Sequence, residues 1–451
     1  MERIARLDDM RARKWLIAAS LFAMVFVYKA SEPLFNALMF ALLMPVITYA
    51  TLRNLRRGEA LGTAIFRVML FAAAWTVMTT ILHRRADLEW VVRFWFIGFC
   101  WFYLLFVPRD TPRAELKKQL GYAGAVVVAG CLPLFLIALA SVFTGRVMRV
   151  PFFNRPVGIQ SAGSIGDPFI IFAQRNVEGR FASYCILFAL YGMLSTKKAW
   201  LRAFLGFDLL VSFMTLAHCQ SRAAYIGVSV ALGLVAFRAV FLHLPRRGRR
   251  VAAGALATAL AFFAVMGGLK LLFKADIAIA RGLGADRVTV QAGEIVSRVE
   301  SAGEFAMFSN GRADIWLSSL DYLKRHPRIL LTGTGGTTDR AFRLVKKAYP
   351  AMREFVGFHN SYLNALFLGG IPLLAAMLAF LCGMVPPCLR VFLRREGAEN
   401  RGLFVVPVFI LMQLIMAVPE NVLLAIANYA NLIFFLLCGA VLHDDRLDRQ
   451  S

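Results

Sequence analysis

Runs of about 20 apolar residues recur along the whole chain, with cores near 15–30, 34–52, 61–82, 90–107, 120–143, 169–195, 199–218, 223–244, 251–273, 360–389, 402–418 and 421–442. A run of that length with little charge can cross a bilayer as a helix. Inside hydrocarbon every backbone N–H and C=O must be satisfied by the chain itself, and a helix does this within one segment. The expected fold is all-α, a polytopic membrane protein with about 12 transmembrane helices. Composition supports this: 59% of residues are hydrophobic and 17% are charged, too apolar for a soluble globular enzyme or a disordered chain. The first run follows MERIARLDDMRARK and lacks a convincing small-residue cleavage site. It is read as a retained helix, not a removable signal peptide.

The net charge is 51 − 27 = +24. Nucleic acid is one partner for such an excess, but here the cations cluster in short loops. Arg53/Arg56/Arg57, Arg109/Arg113/Lys117/Lys118, Lys197/Lys198, Arg246/Arg247/Arg249/Arg250 and Arg390/Arg394/Arg395 fall in every second loop. The positive-inside rule then sets those loops and both termini in the cytoplasm. The outer loop before the sixth run carries Arg146, Arg149 and Arg155, which weakens the contrast. No nucleic-acid partner is expected. The seven cysteines lie in or beside apolar runs and form no CxxC, which argues against a disulfide framework or zinc site.

One segment is too polar to span. The expected organisation is 1–273 as transmembrane helices one to nine, 274–358 as a large outer loop segment, and 359–451 as helices ten to twelve, all in one membrane domain. Within the loop segment, RADIWLSSLDYLKRH sets Ala313, Trp316, Leu320 and Leu323 at helical spacing. Asn310 or Ser309 is its expected cap and Pro327 its end. GTGGTTD at 333–339 reads either as a tight turn or as a phosphate-binding nest. It lacks the Lys-Ser/Thr ending of a P-loop, so nucleotide binding is not expected.

On this topology the unusual polar residues collect at the outer face: Arg175, Asn176, Glu178 and Arg180 opening the sixth run, Arg222 in the turn between the seventh and eighth, Arg312 in the loop segment, and His359-Asn360 opening the tenth. Ionisable groups at membrane depth are functional candidates. Each also has a bland reading: Arg175 and Arg180 as snorkelling side chains, Arg222 as a loop anchor, Arg312 as a solvated helix residue, His359 as structural. Together they suit transfer from a lipid diphosphate. Arginines grip phosphate oxygens and stabilise a leaving diphosphate, and a histidine accepts a proton from an attacking hydroxyl. No DxD lies on the outer side, Asp87-Leu88-Glu89 being the nearest approach. No metal and no cofactor are expected.

At these residues the chain resembles the O-antigen ligase family, whose fold is shared with O-antigen polymerases. The carrying pieces are GDPFIIFAQRNVEGRFASY (166–184), CQSRAAYIG (219–227), SNGRADIW (309–316), HPRILLTGTGG (326–336) and GFHNSYLNALFLGGIPLL (357–374). Arg222, Arg312 and His359 match the family's SR turn, its GR-x-x-x-W stretch and its His-Asn pair in order and in topological place. The resemblance implies a metal- and nucleotide-independent, inverting glycosyltransferase of the bacterial inner membrane with its active site facing the periplasm. The implied donor is a polysaccharide on undecaprenyl diphosphate, and the acceptor a sugar hydroxyl of lipid A–core. His359 is the implied general base; Arg222 and Arg312 the catalytic, diphosphate-binding arginines. AQRNVEG departs from the more neutral stretch of related proteins, so Arg175, Arg180 and Asn176 join the donor site as additions. A polymerase using another lipid-linked chain as acceptor fits the same residues, and a glycolipid transporter is the reading from another class, one that expects polar residues near mid-bilayer. Glu420 and Glu354 are both candidates to assist His359.

Overall fold

The computed structural model describes residues 64–83, 111–144, 148–152, 155–159, 175–244, 247–283, 312–352, 357–395, 397, 401–420, 422–423 and 429–450, with scattered residues between 14 and 38 and between 88 and 95. Asp87, Glu89, Ser309, Asn310 and Glu354 therefore lie outside the described residues, as do most of the first, second and fourth apolar runs. In chain order the helices are α1 (Ala64–His83), α2 (Arg113–Thr144), α3 (Arg175–Ser195), α4 (Ala199–Cys219), α5 (Arg222–His243), α6 (Arg247–Gly282), α7 (Arg312–Arg325), α8 (Arg328–Thr332), α9 (Thr338–Ala348), α10 (Ser361–Leu393), α11 (Val405–Ala417) and α12 (Tyr429–Gln450).

Among the described residues, six helices are long and apolar enough to cross a membrane: α1, α2, α4, α5, the stretch Gly248–Gly282 of α6, and α10. The chain is an all-α, multi-pass membrane protein with one addition. Between α2 and α3, strands β1 (Met148–Phe152) and β2 (Arg155–Ile159) form an antiparallel hairpin, with Val150 opposite Val157. Its strands are five residues each and carry Pro151 and Pro156, composition that demotes a strand when only sequence is read.

The chain separates into two compact units. The first holds Met1–Val46, Pro112–Ser301 and Val391–Met412; the second holds Ile47–Thr111, Ala302–Arg390 and Gln413–Ser451. In the first unit α3 packs on α4 and α5 on α6. Small residues permit the close approach, as expected where lipid offers no hydrophobic drive between helices. A Cβ on Gly233 would meet the Thr258 side chain and carbonyl at 2.9 and 3.0 Å. Polar groups within spans serve the same fastening: Arg238 is buried and donates to the Phe392 carbonyl at 2.7 Å.

In the second unit α10 breaks near its start. Gly370 has φ +68° within the helix, and Pro372 follows. Proline has no N–H, so it cannot satisfy the carbonyl four residues back. Other parts of the unit take up the loosened carbonyls: the Thr334 N–H donates to Phe367 at 2.7 Å, the Gly335 N–H to Leu368 at 3.1 Å, and the Trp75 indole to Gly369 at 2.6 Å.

On α7 the buried face is Ile315, Ser319, Tyr322 and Leu323, against Phe342 and Val345 of α9 and Phe358 and Phe367. Of the expected stripe Ala313, Trp316, Leu320 and Leu323, Leu323 is buried and Trp316 packs against the cluster, but Leu320 is 44% exposed and Ser319 takes the inner place, a displacement of about one position there. The displacement is possible because the Ser319 hydroxyl donates to the Ile315 carbonyl at 2.6 Å, so a polar residue sits in the core without an unmet donor. Pro327 does follow the end of α7, as expected.

Candidate functional site

His359 sits between the loop segment and α10, and three local features set its position. Its backbone is left-handed, φ +48°, a conformation that costs a residue with a Cβ and that recurs at functional sites. Before it, the Trp316 indole donates to the Phe358 carbonyl at 3.1 Å. After it, the Asn360 side-chain oxygen accepts from the Tyr362 and Leu363 N–H groups, both at 2.9 Å. Asn360 is therefore the N-cap of α10, which gives the His-Asn pair a division of labour: one residue is presented and the next holds the helix start.

Glu420 completes this corner. It follows the turn at Val418-Pro419 that ends α11 and is 5% exposed. One carboxylate oxygen accepts from Arg312, and the other lies 3.7 Å from His359 Nδ1. The second distance is longer than a hydrogen bond; catalytic contacts commonly tighten only when substrate is bound. Ser361 fixes this stretch, donating to the Glu420 carbonyl at 2.9 Å and accepting from the Val422 and Leu423 N–H groups at 3.0 Å. Arg312 and Trp316 stand one turn apart on α7, so the GR-x-x-x-W spacing supplies one contact to the carboxylate and one to the backbone beside His359. The side chains of Arg312 and His359 are 15% and 24% exposed, half-sheltered rather than solvated. Arg312, His359 and Glu420 are brought together, and the reading of Arg312 as a solvated helix residue is corrected.

The remaining candidates lie in the first unit. The Ser221 hydroxyl donates to Asn176 Oδ1 at 3.1 Å, tying the start of α3 to the turn before Arg222. Gly179 is essential to that approach, because a Cβ there would meet Ser221 Cβ at 2.7 Å and Cys219 Sγ at 2.9 Å. Arg222 is half-buried at the first position of α5, where the helix dipole disfavours a cation but favours a bound anion. Arg180 is 4% exposed. It is enclosed by protein, which corrects its reading as a snorkelling residue. The Arg175 side chain lies outside the described residues.

The GTGGTTD stretch is a turn. The N–H of Gly333 goes to Ile329, those of Thr334 and Gly335 go to α10 carbonyls, and that of Gly336 goes to the Thr80 hydroxyl. No nest of open donors is left in those four residues for a phosphate. Gly333 has φ +71°, and a Cβ there would strike the Leu368 carbonyl at 2.4 Å. Elsewhere in the loop segment the Tyr349 hydroxyl donates to Asp321 at 2.5 Å, with Arg325 2.8 Å from the same carboxylate. That hydrogen bond lowers the Asp321 pKa, with help from the guanidinium, and raises that of Tyr349 against the guanidinium's opposing pull.

The sequence offers Glu420 only as one of two alternatives, with Glu354, to assist His359. Its signal was an acid in a short turn of an otherwise apolar stretch, but nothing in one sequence links that turn to Arg312. Sequence reading also missed polar groups buried within spans. Asp208 and Ser212 of α4 and Gln119 of α2 are fully buried, so polar residues are not confined to one face. The second unit also holds an apolar cleft lined in part by Met69, Ala72, Trp95, Leu373, Met377 and Leu423. Residues 207–378 match the family model described as O-antigen ligase. No curated protein matches the chain.

Proposed function

On the match of residues 207–378 to the O-antigen ligase family, we propose that the chain transfers a polysaccharide from undecaprenyl diphosphate to a sugar hydroxyl of lipid A–core. The reaction is placed at the periplasmic face of the bacterial inner membrane. The observation that carries this reading is the Glu420 carboxylate shared by Arg312 and His359. It reproduces the logic of a base held by an acidic orienting group.

His359 Nδ1 faces Glu420, and Nε2 takes the proton from the acceptor hydroxyl. The hydroxyl oxygen attacks the anomeric carbon of the donor sugar from the side opposite the diphosphate. A new C–O bond forms, the bond to the diphosphate oxygen breaks with inversion, and the carrier leaves with the electron pair as undecaprenyl diphosphate. Glu420 stabilises the imidazolium that results. Arg312 and Arg222 are the proposed catalytic ligands of the leaving diphosphate, with Arg175, Arg180 and Asn176 adding to donor binding. The apolar cleft suits part of an isoprenoid tail. The donor diphosphate carries the driving force, so no nucleotide is required, and the arginines supply the charge stabilisation that a metal would otherwise give.

The test is the lipopolysaccharide of a strain lacking the protein, complemented with wild type or His359→Ala. Loss of O-antigen from lipid A–core, with long chains accumulating on the carrier and no rescue by His359→Ala, supports the ligase. Core bearing one repeat unit would instead mean a polymerase. An unchanged profile removes both and leaves transport.

A further inference from the structure

Two buried carboxamides in the second unit have nothing to bond to. Asn364 is fully buried on α10, and neither its side-chain nitrogen nor its oxygen has a hydrogen-bond partner. Gln413, near the end of α11, is in the same condition. A buried amide without partners is destabilising, and more so where no water is at hand. Each therefore calls for a polar ligand.

Their positions indicate which one. Ser361 bonds to Glu420, Val422 and Leu423, and Asn364 is one helical turn further along the same face of α10. Ala365 and Leu368, next on the helix, pack in an apolar cluster with Ala72 and Trp95. Leu373, Ala376 and Met377 then line the apolar cleft, as does Leu423, three residues beyond Glu420. Along α10 the order is thus reacting corner, unpartnered amide, apolar cleft. Gln413 lies about one turn before the end of α11, seven residues ahead of Glu420 in the chain that leads into the corner. A ligand with a reacting polar head, a second polar group and an apolar tail has this order, and an isoprenoid diphosphate is such a molecule.

Resting on the reading above, we infer that Asn364 and Gln413 bind the lipid-side phosphate of the isoprenoid diphosphate donor. Their amide nitrogens donate to phosphate oxygens, and their amide oxygens accept from water held by the hydrated headgroup. They are binding residues and take no part in proton transfer. They serve donor affinity at the expense of the empty protein.

The experiment uses the purified full chain with undecaprenyl diphosphate as the probe. Asn364→Leu and Gln413→Leu keep the side chain's approximate size and remove the unmet groups. Each is expected to melt at the wild-type temperature or higher, to bind the probe about tenfold more weakly, and to raise the donor KM with little change in kcat. Asn364→Gln should recover part of the affinity. His359→Ala should bind the probe as wild type does while losing transfer. Wild-type affinity in both leucine variants, with the wild-type protein binding the probe, overturns this inference and leaves the proposed function standing. A large fall in melting temperature in Asn364→Leu and also in Asn364→Ala means a structural amide and overturns it too. Failure of the wild-type protein itself to bind the probe sinks the proposed function and this inference together.

Discussion

The two units carry polar residues in different ways. In the second, Arg312, His359 and Glu420 come from three separate segments and meet through side-chain charge. Backbone contacts hold them: an indole on the Phe358 carbonyl, a cap at Asn360, and a serine on the Glu420 carbonyl. In the first, Asn176, Arg180 and Arg222 lie on two helices whose ends approach at a glycine. The first arrangement needs helix packing alone. The second needs loops locked onto a broken helix. The difference fits the chemistry proposed: a proton-transferring histidine must be held in one orientation, whereas a cation for a diphosphate tolerates more latitude because its field is long-ranged.

The largest expected effect tests that orientation. His359→Ala should lower the transfer rate by about 10²–10⁴-fold, and Glu420→Gln, which keeps the shape and removes the charge, by about a hundredfold. Both are measured as kcat with purified donor and acceptor. Full activity in Glu420→Gln would reduce Glu420 to a structural partner of Arg312 and erase the contrast between the units.

Next comes stability. Arg312→Ala leaves a buried carboxylate without its guanidinium and should cost about 3 kcal/mol, read by thermal unfolding in detergent. The two glycine contacts come third. Gly333→Ala combines a left-handed backbone with a carbonyl clash and should cost about 2–4 kcal/mol. Gly179→Ala meets side-chain atoms only and should cost about 1–3 kcal/mol. If the order reversed, the packed helices rather than the interlocked loops would be the less forgiving construction.

The smallest effect concerns the loop segment. The Asp321 pKa is lowered in the folded chain, mainly by the Tyr349 hydrogen bond. A lowered folded pKa gives stability that is present above the ordinary aspartate value of about 3.9 and lost as pH falls through the folded value. Tyr349→Phe should therefore reduce stability at neutral pH and flatten the acid side of the profile, below about pH 4. Identical acid unfolding curves for the variant and the wild type would remove the linkage.

Much of the membrane architecture was legible in the sequence, because length and apolarity fix a spanning helix almost unaided. The runs at 61–82, 199–218 and 223–244 correspond to α1, α4 and α5 within a few residues. Arg312 and His359 were legible through motif order. Glu420 was legible only as an alternative to Glu354, since a single acid has no partner until the chain folds. The hairpin at 148–159 was hidden by two prolines and short strands. The face of α7 was misjudged because periodicity ranks Leu320 above Ser319, while folding let a serine satisfy itself and take the inner place.

The shared carboxylate also has a consequence for synthesis. Glu420 lies 108 residues beyond Arg312, and the family match ends at 378. A ribosome therefore delivers the arginine, the histidine and every matched residue to the membrane well before the acid that joins them. Until then that part of the nascent chain carries cations without the partner they have in the finished fold. A chain stopped between 378 and 420 would retain the whole family signature and lack the group that organises it.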